Sequence, residues 1–108
     1  MTAVNPEAKY FFVKLNPPRP TFPADMTEAE GAVMQQHGAY WRELTSKGLV
    51  VVFGVVIDPE YTHGVGILEV ESEERVRELL ADDPVTRAAL GRYEIHPMRV
   101  GSIRGQTA

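Results

Sequence analysis

Residues Leu49–Val70 read LVVVFGVVIDPEYTHGVGILEV, and this stretch decides the fold. Leu49–Ile57 is a near-continuous β-branched run with little polar alternation, which predicts a strand. Its internal Gly54 marks the place for a bulge. Asp58-Pro59-Glu60 opens a turn, and Val65–Val70 is the strand that returns from it. Two strands therefore follow one another directly, and what flanks them sets the topology.

Upstream, Thr27-Glu28-Ala29-Glu30 has capping-box spacing, with Glu30 able to reach back to the Thr27 amide. The helix it starts is expected to run to about Lys47, where Gly48 supplies a left-handed terminator. Downstream, Ser72 caps a second helix with Val76, Leu79 and Leu80 as its apolar stripe, and Glu73 and Glu74 suit its positive end. Asp83-Pro84 restarts a helical turn to about Leu90, ended by Gly91. The outer strands are Tyr10–Leu15 (YFFVKL) and Tyr93–Val100 (YEIHPMRV). Pro97 can donate no ladder bond, so the last strand belongs at an edge. A connector with four prolines, Asn16–Asp25 (NPPRPTFPAD), separates the first strand from the first helix.

The order β-α-β-β-α-β predicts an α+β, ferredoxin-like sandwich, with helices on one face of an antiparallel sheet. The other face, with runs such as VVVFGVVI, is too apolar for a monomer, so a homodimer with sheets packed face to face is expected. One domain spanning residues 1–108 fits the length, its core at about 9–100 between short flexible termini.

Composition narrows the function. With no cysteine there is no disulfide framework, thiolate zinc site or cysteine nucleophile, and a reducing cytoplasm suits the chain. A net charge of −4, with basic residues scattered, argues against nucleic acid as a partner. No apolar run approaches the roughly 20 residues of a membrane span, and the start MTAVNPEAK is unlike a signal peptide. The glycines do not form a dinucleotide cradle, and the three histidines lack ligand spacing, so neither cofactor nor metal is expected.

On the first helix, Ala29, Val33, Tyr40 and Leu44 form an apolar stripe flanked by Met34 and Trp41, and His37 falls near its middle. A polar ring there is costly unless its nitrogens are paired. A core histidine bonded to a backbone carbonyl and a general acid or base both fit that position. Asp83 is the best carboxylate partner, although Asp before Pro is also what a helix N-cap looks like; Asp82 is the alternative. Arg19, held among prolines, is placed to present a guanidinium to a substrate anion or to serve a rigid connector. Phe22 and Met26 are candidates to fold back onto the core. His63, in a Thr-His-Gly turn, and His96, alternating with Glu94, are expected to face solvent.

Taken together, FFVKLNPPRPTFPADMT, MQQHGAYWRELTSKG, VVFGVVIDP and LLADDPV followed by YEIHPM resemble the YciI-like (YCII-related) domain family from Tyr10 to Met98. The resemblance implies a dimeric ferredoxin-like fold, related to the dimeric α+β barrels that include muconolactone isomerases. It also implies a histidine/aspartate centre at His37 and Asp83. Phe53-Gly54-Val55-Val56 departs from the Gly-Pro usual there. The leading expectation is a small-molecule lyase or isomerase-type enzyme. His37 moves a proton next to a carbonyl or phenolic oxygen, Asp83 fixes the ring, Arg19 holds an anion, and Tyr40 and Trp41 form an aromatic wall. The alternative is a non-catalytic ligand-binding or accessory module.

Overall fold

Leu49–Val70 folds as the antiparallel pair that its pattern predicts. The computed structural model describes residues 2–3 and 9–107, so the expected flexible termini fall in part on residues 1, 4–8 and 108, outside that description. In chain order its elements are β1 (Thr2–Ala3), β2 (Lys9–Asn16), α1 (Glu28–Ser46), β3 (Val50–Val56), β4 (His63–Val70), α2 (Glu73–Ala81), α3 (Pro84–Arg87), β5 (Arg92–Met98) and β6 (Gln106–Thr107). Strands β3-β4-β2-β5 form one antiparallel sheet in that order, and β1 pairs with β6 apart from it. This is the ferredoxin-like α+β arrangement. β5 takes the edge that Pro97 requires.

The sheet presents Phe11, Val13 and Leu68 to the helices, where they pack with Trp41, Leu44, Val76, Leu79 and Leu80. Fully burying such aliphatic side chains is worth about 1.5–3 kcal/mol each. A second cluster, Leu15, Phe22, Val85 and Leu90, joins the proline connector to α3. Phe22 thus folds inward as expected, whereas Met26 stays exposed.

Two details depart from the sequence reading. The bulge sits at Val51 rather than Gly54: Val50 pairs with Leu68 and Val52 with Ile67, while Gly54 pairs in register with Val65. The extra residue puts both Val50 and Phe53 on the helix side, which strict alternation forbids for positions three apart. On the single chain most of β3 is exposed, with Val52 at 53% and Val55 at 63%. Finally, α3 stops at Arg87, and Ala89 adopts a left-handed φ of 53°, which turns Leu90 into the second cluster.

The α1 stripe is rotated toward Trp41. His37, Trp41 and Leu44 are buried while Ala29 is exposed. Trp41 fits because β4 has no side chain beneath it. A Cβ built on Gly66 lies 2.7 Å from Trp41 Cζ3 and 3.0 Å from Cη2. Gly66→Ala is therefore expected to destabilise the fold by about 1–3 kcal/mol. It should also shift the emission of the single tryptophan; an unchanged spectrum and denaturation midpoint would show that Trp41 has room to spare.

Candidate functional site

The capping box predicted for α1 is formed. Glu30 N–H donates to Thr27 Oγ1 at 3.1 Å, and Thr27 N–H donates to Glu30 Oε1 at 2.9 Å. This start fixes the helix phase and carries His37 to the sheet-facing side, where 5% of its surface remains exposed. Phe53 meets the ring edge-on at 5.5 Å, and Trp41 lies 6.3 Å away.

Asp83 caps α3 ahead of Pro84, and its side chain accepts from the Val85 N–H at 3.0 Å. The same carboxylate, fully buried, faces His37 Nδ1 at 2.9 and 3.0 Å. It accepts from Trp41 Nε1 at 2.7 Å and from the Tyr93 hydroxyl at 2.6 Å. The cap and the histidine contact are thus two uses of one side chain. Asp82 points outward and pairs with Arg87.

Burial alone would raise the Asp83 pKa. The bonds from His37 and Tyr93 outweigh it and hold the carboxyl below the usual carboxylate range. Burial, then the charge of Asp83 and the bond to it, push the Tyr93 hydroxyl well above its ordinary value, so it stays a donor. An ionised carboxylate has no hydrogen to give, so the network assigns the proton between the two groups to His37 Nδ1. In the neutral ring Nε2 is then a bare acceptor. Among the described residues it takes no protein partner and, unlike Tyr10 Oη and His63 Nδ1, it is not a sealed unpaired atom.

His37 lines a cavity of about 230 Å³ between α1, the proline connector and the β3–β4 end of the sheet. Its walls include Leu15, Phe22, Met34, Phe53, Val55 and Leu90, with Asn16 and Thr62 among the few polar groups. Arg19 lies outside it. The Arg19 Nε donates to Asp25 at 3.0 Å and its two terminal nitrogens donate to Glu30 at 2.9 and 2.7 Å. Its cation thus clamps the connector onto α1. Tyr40 donates to the Leu79 carbonyl at 2.7 Å and does not line the cavity. Trp41 sits behind His37, stacked on Phe53 at 5.1 Å. His63, expected in solvent, is half-buried at the start of β4, with Nδ1 unpaired. His96 is exposed beside Glu94, as expected.

Two members of this constellation escape sequence reasoning as site residues. Tyr93 carries a signal in hindsight: it alternates with Ile95 against the outward Glu94 and His96, so it must face the helices. Phe53 has none, because its direction depends on the bulge.

The connector clamp makes a prediction of its own. Hydrogen bonds from Arg19, then the Thr27 N–H, lower the Glu30 pKa from 4.5 to about 2. A depressed folded value means the contribution is present above pH 4.5 and lost as pH falls toward 2. The gap in Tm between wild type and Glu30→Gln should therefore narrow across that window. A gap independent of pH would show that the Arg19–Glu30 pair adds nothing in solution.

Among the described residues no cluster of three or more His, Cys, Asp or Glu side chains could hold a metal ion, and no helix is long and apolar enough to cross a membrane. The sequence model of the YCII-related domain matches residues 10–99. No curated protein matches the chain. Several solved structures share the fold. A 5-chloro-2-hydroxyhydroquinone dehydrochlorinase (TftG) from Burkholderia phenoliruptrix AC1100, in complex with 2,5-dihydroxybenzoquinone, is 21% identical over 84% of this chain and 95% of its own, with a TM-score of 0.64. SnoaB, a cofactor-independent oxygenase from Streptomyces nogalater, is 14% identical over 92% and 98%, with a TM-score of 0.50. A nipsnap family protein from Agrobacterium tumefaciens is 17% identical over 91% and 92%, with a TM-score of 0.51.

Proposed function

The chain belongs to the YCII-related domain family, and from the geometry of its site we propose that it is a small-molecule enzyme working by proton transfer, of lyase or isomerase type. The observation that carries this is the His37–Asp83 pair, at 2.9 Å, on the wall of a cavity large enough for a small ligand. Nε2 of His37 takes a proton from a hydroxyl, or from a carbon next to a carbonyl, of the bound molecule. Asp83 bonds the opposite nitrogen, holds the tautomer and stabilises the imidazolium that forms. Trp41, Tyr93 and the Val85 amide act through Asp83 by fixing both its oxygens. Every step uses side chains of this chain alone. The fold's occurrence in a dehydrochlorinase and an oxygenase supports small-molecule chemistry on this scaffold.

A second copy of the chain belongs to the same reading. Val52, Ile67 and Phe12 lie in register on the sheet face away from the helices, and Val52 and Val56 are exposed there. Packing two such faces together removes that apolar surface from water.

The test is a panel of hydroxylated and halogenated aromatic rings and small lactones, followed by loss of starting compound. Turnover by wild type that disappears in His37→Ala, with fold and sedimentation unchanged, supports the proposal. Undiminished turnover in that variant removes His37 from the mechanism.

A further inference from the structure

The proton-transfer reading leaves open what the cavity admits, and its walls narrow the choice. Among the described residues that line it there is no Lys, Arg, Asp or Glu. Two cations adjacent to the lining in sequence are engaged elsewhere, and a third, the exposed Arg42, reaches Gly38 from outside without being part of the lining. Arg19 is bound by Asp25 and Glu30, and Lys14 donates to the Tyr61 hydroxyl at 2.8 Å. An anionic ligand would enter without a counter-ion, on the far side of His37 from a buried carboxylate held in its charged form. Among the described residues, the only other titratable side chain on the wall is His63, half-buried, with one ring nitrogen sealed.

Size gives a second limit. A dry apolar cavity of roughly 150 Å³ is known to hold one benzene ring. A cavity of about 230 Å³ therefore takes one ring with a few substituents. The third limit is the acceptor. Nε2 of His37 has no protein partner among the described residues, its bonds running from Nδ1, and its complement is a group that arrives carrying a hydrogen.

We propose that the cavity beside His37 binds uncharged, single-ring hydroxylated aromatics, such as phenols and hydroquinones in their neutral form, and rejects ring carboxylates of the same size. The hydroxyl hydrogen points at Nε2. On transfer the O–H bond breaks, its electron pair stays on the oxygen, and the hydrogen joins Nε2. The resulting imidazolium stays paired with Asp83, so the cavity gains no net charge. A carboxylate bound at the same place brings a negative charge that nothing on the wall offsets.

This inference rests on the proton-transfer reading, and its test separates the two. Wild-type protein at pH 8 is titrated with 4-chlorophenol, benzoate and benzamide, by calorimetry and by the ¹⁵N shifts of the His37 ring. At that pH the phenol is neutral, benzoate is charged, and benzamide is the uncharged match in size. The expected result is saturable binding of 4-chlorophenol and benzamide, with benzoate weaker by on the order of 100-fold. Benzoate binding as tightly as the phenol, or benzamide rejected along with benzoate, overturns selection by charge. No saturation by 4-chlorophenol up to its solubility limit overturns the aromatic class. Phenol binding that leaves the His37 nitrogens unmoved keeps the ligand class and contradicts the proton-transfer reading instead.

Discussion

Asp83→Ala should lower the stability of the fold by about 3–5 kcal/mol, the largest effect expected of any polar substitution in the chain. The side chain is fully buried and accepts from four donors on three elements: His37 and Trp41 of α1, Tyr93 of β5 and the Val85 amide of α3. Removing it strands those donors in a site that water does not reach, at about 1–3 kcal/mol for each one left unpaired. Relief is partial, because Trp41 Nε1 already lies 3.1 Å from the Tyr93 oxygen and can turn fully to it. The α3 cap goes as well, for about 1 kcal/mol more. In a chain of this size the drop in Tm is on the order of 15 °C. Asp82→Ala is the matched control, since its pair with Arg87 is exposed and such pairs are worth about 0–1 kcal/mol. Denaturant midpoints for the two variants give the comparison. Equal losses would mean that the carboxylate network does not form.

Asp83→Asn should behave in the opposite way, keeping the fold and losing the chemistry. Asparagine can still cap Val85 through its oxygen, and the Tyr93 hydroxyl can rotate to accept rather than donate. What changes is His37. An amide N–H can donate to Nδ1, which moves the ring hydrogen to Nε2 and removes the acceptor from the cavity. The same wrong-tautomer effect in a serine protease triad costs about 10⁴ in turnover. A fall of about 10³–10⁴ in kcat, with KM within a few-fold, is expected on any substrate that wild type turns over. A loss confined to KM would make Asp83 a binding feature rather than the group that sets the tautomer.

What the sequence could show follows from how local each signal is. The Thr27–Glu30 box, the Ser72 cap and the Asp83-Pro84 junction are written within a few residues, and all three sit where expected. The helix–hairpin–helix order followed from them, and with it the ferredoxin-like sheet. His37 was legible as a polar break in an apolar stripe, whereas the choice between Asp82 and Asp83 stayed open in the sequence, because a cap and a histidine partner looked like competing uses of one carboxylate. The rest depended on long-range packing. Whether β3 bulges at Val51 or Gly54 is set by which residues the core can accept, and that decides where Phe53 goes. Arg19 looked free because its partners, Asp25 and Glu30, are brought to it only when the connector folds over α1. Trp41 read as a flank of the stripe because nothing in its own helix reveals that β4 places Gly66 beneath it.

The proposed chemistry turns on one hydrogen. If Asp83 is ionised and receives it from His37, the neutral imidazole is protonated at Nδ1 and bare at Nε2. Ring ¹⁵N NMR of histidine-labelled protein at alkaline pH reads this directly. The account predicts a pyrrole-like Nδ1 coupled to Asp83 and a pyridine-like Nε2, with the pattern lost in Asp83→Asn. A pyrrole-like Nε2 beside a bare Nδ1 in the wild-type protein would contradict it, because the cavity would then face a donor and His37 could not act as its base.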